Sequence, residues 1–173
     1  MTRYCDHPHG QDELTEFLRT LFAGCRYPVE FRPVPPNLKS LFTRDPAYVR
    51  QLSAQCEGRV QNLYFGVATR EGGGTKSHCR EIPALWTDID FKDQPEQKAK
   101  ERLNQFPLQP SAIVESGGGL HIYWLLRDPV NAQVEGVRVE ALLRGLSDRL
   151  GGDRGACDFS RVTGVLPSSS SVG

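Results

Sequence analysis

The chain has 173 residues, with 21 Lys and Arg against 21 Asp and Glu, so its formal net charge is zero. That length suits one domain and is too short for a polymerase with separate fingers and thumb domains. Hydrophobic residues make up 38% and charged residues 24%, which supplies a core, argues against disorder and excludes a polybasic nucleic-acid binder with a global positive field. A bound polyanion has to be held by a local basic patch or by metal ions.

Residues 1–10 read as a loose polar arm. The start, Met1-Thr2-Arg3-Tyr4-Cys5-Asp6, lacks the apolar core of a signal peptide. Cys5, His7 and His9 alternate there, and His78-Cys79 could join them around zinc. Spacing of two is not a usual zinc-knuckle spacing, however, and zinc is not expected. From Gln11 the pattern turns helical: Leu14, Phe17, Leu18, Leu21 and Phe22 make one stripe, so 11–22 is predicted as an amphipathic helix stopped by Gly24. Val29, Phe31 and Val34 mark a short strand that ends at Pro35-Pro36, and 46–56 reads as a second helix with Pro near its first turn.

Strands then dominate. Residues 62–69 (NLYFGVAT) carry apolar side chains on both faces, as a central strand does. Residues 70–76 read as a flexible, partly basic loop. Residues 84–91 (ALWTDIDF) form another buried-type strand and 95–106 a charged, exposed helix. Residues 112–114 and 120–126 make a hairpin around Ser116-Gly117-Gly118-Gly119. A long helix is predicted over 131–150, with Val134, Val137, Leu142, Leu146 and Leu150 on its buried face and Gly151-Gly152 at its end. The Ser168-Ser169-Ser170-Ser171 tail has linker composition. The expected class is α+β, with helices packed on a mainly antiparallel sheet. No apolar run approaches the ~20 residues of a membrane helix, so no membrane partner is expected. The five cysteines are odd in number and scattered, without a C-x-x-C pair, which fits reduced thiols in a cytoplasm.

Three constellations carry candidate chemistry. In Thr87-Asp88-Ile89-Asp90, strand alternation puts Asp88 and Asp90 on one face. Two such carboxylates do not both ionise cheaply without a cation between them, and hard oxygen ligands suit Mg²⁺ or Mn²⁺. A solvated strand end with two surface acids is the plain alternative. In Ser116-Gly117-Gly118-Gly119-Leu120-His121, a glycine turn lets backbone amides approach a phosphate, and His121 can donate to one; an ordinary hairpin with a satisfied histidine is the alternative. The stretch from Asp153 to Arg161 offers a third acid and a cation, or a polar loop capping the long helix.

Together these resemble the archaeo-eukaryotic primase (AEP) superfamily, in particular the small bifunctional primase–polymerase domains of plasmids, phages and mobile elements. There a D-x-D strand precedes an S-G-x-G-x-H turn, then a third acid ahead of an R-x-x-R-L-P-G stretch. Here these read Asp88-Ile89-Asp90, Ser116 to His121, and Asp153 with Arg161; the flanks Tyr64-Phe65-Gly66-Val67, Leu85-Trp86 and Ile122-Tyr123-Trp124 match too, over residues 60–167. The chain departs after Arg161, where Val162-Thr163-Gly164-Val165-Leu166-Pro167 and serines replace the second arginine, the glycine and a downstream lysine.

The resemblance implies a small N-terminal α/β unit (1–58), an RRM-like catalytic unit (59–167) and a linker (168–173). It implies a DNA primase and polymerase that transfers nucleotides on a single-stranded DNA template by a two-metal mechanism. Asp88, Asp90 and Asp153 would hold Mg²⁺ or Mn²⁺, with Asp158 as the alternative third acid. Ser116, Gly117, Gly118, Gly119, His121 and Arg161 would bind the NTP or dNTP. The residues themselves offer Arg70, Lys76 and Arg80 as a basic cluster, for nucleotide or template or as a solvated loop. Tyr64 and Phe65 read as base-stacking rings or, more simply, as core. A fused or partner helicase is a further expectation. The missing second arginine opens two other readings, a catalytically weak single-strand or nucleotide-binding module and a metal-dependent nuclease.

Overall fold

The computed structural model describes residues 2–4, 10–34, 39–57 and 62–165. The zinc set Cys5, His7 and His9, the Pro35-Pro36 strand end and the serine tail lie outside the described residues. The elements are β1 (Thr2–Tyr4), α1 (Gly10–Leu21), β2 (Val29–Val34), β3 (Leu41–Thr43), α2 (Pro46–Glu57), β4 (Asn62–Gly66), β5 (Glu81–Asp90), α3 (Glu96–Gln105), β6 (Ala112–Glu115), β7 (Gly119–Asn131), α4 (Ala132–Leu150) and β8 (Val162–Val165).

The fold is α+β and contains two four-stranded sheets. The first has the order β1-β6-β7-β5 and the second β3-β2-β4-β8. All pairings are antiparallel except β1 with β6, where Thr2 stands opposite Ala112 and Tyr4 opposite Val114. Thr2–Tyr4 therefore corrects the expectation of a loose arm over 1–10. Local patterning could not announce so short a strand, whose partner lies over a hundred residues away. The expected 1–58 and 59–167 segments interleave: β1 joins the first sheet, while β4 and β8 complete the second.

Alternation assigns the two faces of the first sheet. Ile89, Ile113, Leu120, Ile122 and Trp124 point to one side, where they bury Ala99 and Leu103 of α3 and Leu146 and Leu150 of α4. Ala84, Trp86, Ala112, Val114 and Tyr123 point to the other, towards α1 and the second sheet. There Phe65 of β4 stacks on Tyr123 of β7 with ring centroids 6.3 Å apart, and Phe17 of α1 meets Tyr123 edge-on at 5.4 Å. Aromatic pairs at such offsets add to the burial of their rings, and here they join the two sheets. Phe65 is thereby core, not a base-stacking platform. Leu14, Phe17, Leu18 and Leu21 are all buried, as the helical spacing of α1 predicts.

Helix α4 corrects its predicted face. Val134 and Val137 are 74% and 81% exposed and Leu142 is exposed too, whereas Gly136, Val139, Leu143, Leu146, Ser147 and Leu150 are buried. The buried face mixes large apolar residues with two small ones at close contacts: Thr87 Oγ1 on β5 lies 3.2 Å from Ser147 Oγ, and Gly136 sits against the Phe159 ring, where a Cβ would collide. Leu146 and Leu150 are buried as the spacing predicts. Asn131 caps α4 by accepting from the Gln133 amide at 2.9 Å, and Gly151 ends it in the left-handed region at φ 78°. Among the described residues no helix is long and apolar enough to cross a membrane.

Candidate active site

The acids sit where β5 ends beside the start of β7. In the β5–β7 ladder Asp88 is opposite His121 and Asp90 opposite Gly119. Asp88 and Asp90 share the face that carries Ala84 and Trp86, so both look towards the second sheet; their side chains are 29% and 43% exposed. Ile89 between them is fully buried on the opposite face. The strand thus continues its apolar alternation on one side and turns acidic on the other.

Next to them is the turn between β6 and β7. Ser116 N donates to Gly119 O at 3.1 Å, and the Phe91 amide donates to Gly118 O at 2.8 Å, which latches the turn to the end of β5. Ser116, Gly117 and Gly118 are exposed, and nothing lies within 4 Å of where a side chain would stand on Gly117 or Gly118. Gly119 has no such room, because a Cβ there would collide with the Ile89 carbonyl. A bare glycine backbone therefore borders the acid pair.

Asp153 reaches the same place from the other side of β5, which is the outer strand of its sheet. Its amide donates to Asp88 O at 2.7 Å, so the chain leaving α4 is hooked onto the strand at the first acid. Gly152 makes that approach possible: any Cβ there would strike Thr87 Oγ1 and crowd Asp88 O. The Asp153 carboxylate accepts from the Gly155 amide at 2.7 Å and caps a 3-10 turn at Arg154–Cys157. Trp86 Nε1 donates to Ala156 O at 3.1 Å and fixes that turn on the sheet.

The electrostatics follow from this crowding. Burial, then the charges of Asp153 and Asp90, push the Asp88 carboxyl up to about 6. Burial pulls His121 down to about 4, although its Nδ1 lies 3.4 Å from Asp88 Oδ1. The contact is therefore not a salt bridge near pH 5: acid and imidazole are both neutral. Burial, followed by the Asp88 charge, also raises the Tyr123 hydroxyl. Among the described residues no arginine or lysine compensates Asp88, and the unmet negative potential is what a divalent cation answers. Hard carboxylate oxygens are the donors that Mg²⁺ or Mn²⁺ takes. As the side chains stand, no group of three or more His, Cys, Asp or Glu among the described residues is drawn close enough to hold a metal ion. The donor type and charge fit such an ion, and the carboxylates would have to converge on it.

Asp158, the alternative third acid, is elsewhere. Burial acts to raise it, but hydrogen bonds from Ser160 N and Oγ and the Lys76 charge outweigh this and hold it below the usual carboxylate range. Both Ser160 bonds are 2.8 Å long, and Lys76 Nζ is 3.5 Å away. Arg161 is exposed; its Nη1 and the Asp153 carboxylate both border the space that a Gly155 side chain would fill, at 3.4 and 3.0 Å.

The basic loop departs from expectation. Arg70 is a correction: its side chain is fully buried, with Nε 3.1 Å from Glu30 Oε2, and is not free for nucleotide or template. Lys76 is paired with Glu140 and Asp158 and lies over the Phe159 ring at 4.6 Å. Arg80 Nε donates to Glu71 Oε2 at 3.0 Å. Glu30 carries no signal for a buried cation in the sequence: between Val29 and Phe31 it takes the polar side of an alternating strand, and its burial comes from the tertiary structure. Gly152 was read only as a helix stop, and its role beside Asp88 needed the tertiary contact.

No family model matches the sequence, and no curated protein is similar to it. Two solved structures share its fold. One is the AEP domain of the primase–polymerase (PrimPol) of cyanophage S-2L, with 18% identity, a TM-score of 0.61, and 89% of this chain aligned to 80% of that one. The other is the catalytic domain of primase Repb' in complex with initiator DNA, with 14% identity, a TM-score of 0.58, and 91% of this chain aligned to 76% of that one. The chain has the fold of an AEP primase–polymerase domain.

Proposed function

We propose that the protein is a divalent-metal-dependent nucleotidyltransferase that makes and extends primers on single-stranded DNA. The observation that carries this reading is the uncompensated Asp88, set beside Asp90 and Asp153 at the strand end that also carries the open glycine turn and His121. The shared fold with a phage primase–polymerase and a primase bound to initiator DNA supports it.

Asp88, Asp90 and Asp153 are the residues that would hold Mg²⁺ or Mn²⁺. When bound, such ions neutralise the nucleotide phosphates and lower the pKa of the attacking hydroxyl. The protein's own part is positioning and charge placement. The amides of Gly117, Gly118 and Gly119 offer donors to the triphosphate, and the Ser116 hydroxyl, which donates to Gly119 O at 3.3 Å, would exchange that bond for one to a phosphate oxygen. Arg161 pairs with a phosphate oxygen from the opposite side. His121, neutral above about pH 4, has one ring nitrogen facing Asp88 and keeps the carboxylate aimed out of the sheet.

Primer synthesis on single-stranded DNA with Mn²⁺ or Mg²⁺ tests the reading. Product from the parent and none from Asp88→Ala/Asp90→Ala is the expected result. No product from the parent, or the same product from both, overturns it. The carboxylates' lack of convergence favours one alternative, a metal-independent single-strand or nucleotide-binding module. Binding that survives EDTA, with no turnover in any metal, would establish that instead; release of nucleotides without extension would establish a nuclease.

A further inference from the structure

Arg70 is a fully buried arginine outside the acid site, and every polar group around it belongs to a different segment. Nε faces Glu30 Oε2 of β2 at 3.1 Å, an ionic contact without hydrogen-bond geometry. Nη1 donates to Gly74 O at 2.6 Å, and Nη2 donates to Ser160 O. Glu30 is itself buried and also accepts from Arg32, with Nε at 3.0 Å and Nη2 at 2.6 Å. Gly66 leaves the room, since a Cβ there would come within 3.3 Å of Arg70 Nη2. One guanidinium thus fastens the glycine loop over 71–75 and the chain before β8 to the outer face of the second sheet.

The tethered chain is the one that carries two proposed site residues. Segment 151–161 runs from the outer strand of the first sheet, β5, to the outer strand of the second, β8. Asp153 N anchors its start to Asp88 O, and Ser160 O anchors its end to Arg70. Arg161 follows immediately, with its amide donating to Asp158 O at 3.0 Å. A guanidinium can hold two carbonyls and a carboxylate at once because its donors form a rigid fork. Glu30 makes the buried charge tolerable.

We propose that Arg70, neutralised by Glu30, is a positioning residue that sets Arg161 beside the acid site, an inference that rests on the reading of Arg161 as a phosphate ligand. It touches neither substrate nor the acids. Its effect reaches the site through the Ser160 carbonyl.

The test uses Glu30→Gln/Arg70→Gln, which removes both buried charges together and avoids stranding one of them. Hydrogen exchange and nucleotide affinity are measured on the folded protein, the latter with a non-hydrolysable nucleoside triphosphate and Mn²⁺. Amides of Ser160 and Arg161 should exchange at least about tenfold faster, while those of 88–90 and 119–121 stay as in the parent. Nucleotide Kd should rise about tenfold, the size of one charge-assisted hydrogen bond, and adding Arg161→Ala should raise it little further. Unchanged exchange at 160–161 overturns the proposal, as does a nucleotide effect that adds in full to that of Arg161→Ala. If exchange accelerates but Arg161→Ala alone leaves nucleotide affinity intact, the placement of the segment stands and the nucleotide role of Arg161 falls.

Discussion

Glu30 and Asp88 are both carboxylates set into a β-strand, and their surroundings are opposite. Glu30 on β2 is enclosed with the guanidinium groups of Arg70 and Arg32. Asp88 on β5 is half-buried with Asp90, Asp153 and a neutral imidazole. The charge of the first is answered inside the fold, so it joins segments. The charge of the second is left for something from outside. A buried acid with its cation supplied is architecture; a half-buried acid among acids is an invitation to a ligand.

The largest expected effect breaks this comparison on the side of Asp88. Asp88→Ala should lower primer synthesis by at least on the order of 10²–10³-fold, the scale of deleting a preorganised electrostatic group, with the fold retained by circular dichroism. Retained activity would make Asp88 a surface acid and remove the contrast. On the other side, Glu30→Ala strands the Arg70 charge and should cost about 3–5 kcal/mol in urea unfolding; Glu30→Gln/Arg70→Gln should cost less, because the one cation it leaves unpaired, Arg32, is half-exposed and water can solvate it. A mild effect of Glu30→Ala would mean that water reaches the pair.

The third prediction concerns metal-free protein and pH. Asp88 rises from 3.8 to about 6 on folding, so the native state binds more protons in that window and stability falls as pH rises through it. His121 drops from 6.5 to about 4, so its contribution runs the other way, and stability is lost as pH falls from 6.5 to 4. The two slopes oppose one another, and the parent's melting temperature should be nearly level between them. Asp88→Asn removes one slope. It should be more stable than the parent above pH 6 by on the order of 2 kcal/mol in urea unfolding, with the gap closing near pH 4. Mn²⁺ should stabilise the parent and not this variant. The smallest effect belongs to Lys76→Gln, which loses partly exposed ion pairs: under about 1 kcal/mol and less than about twofold in activity. A large loss of activity would return Lys76 to the nucleotide.

These regions also differ in how far they can be read from sequence. Asp88, Asp90 and the Ser116–His121 turn lie in two short runs with strand alternation and a glycine triplet, and the β5–β7 ladder joins those runs. The site end of the fold was legible for that reason. The stripe of α1 was legible as well. The face of α4 is legible only in its last turns: Leu146 and Leu150 are buried as the spacing predicts, but the contacts of Ser147 with Thr87 and of Gly136 with Phe159 set which side packs inward and leave Val134 and Val137 exposed. Arg70 looked like part of a basic loop because its neighbours are glycines and charges; its partner Glu30 lies forty residues earlier.

The sequence by itself determined the α+β class, most elements and the acid pair with its glycine turn, since alternation, helical spacing and turn chemistry act over a few residues. Only the tertiary structure decided that β1 pairs with β6, that Asp153 rather than Asp158 is hooked to Asp88, and that Arg70 is a buried clamp. Each of those rests on a pairing between distant segments, where burial and backbone hydrogen bonding choose the partner and local pattern does not. The zero net charge with which the chain presents itself has the same character: the total is fixed by composition, but folding sets Arg70 and Arg32 on Glu30, and Lys92 within 4.0 Å of Asp90, and leaves Asp88 without a lysine or arginine partner among the described residues.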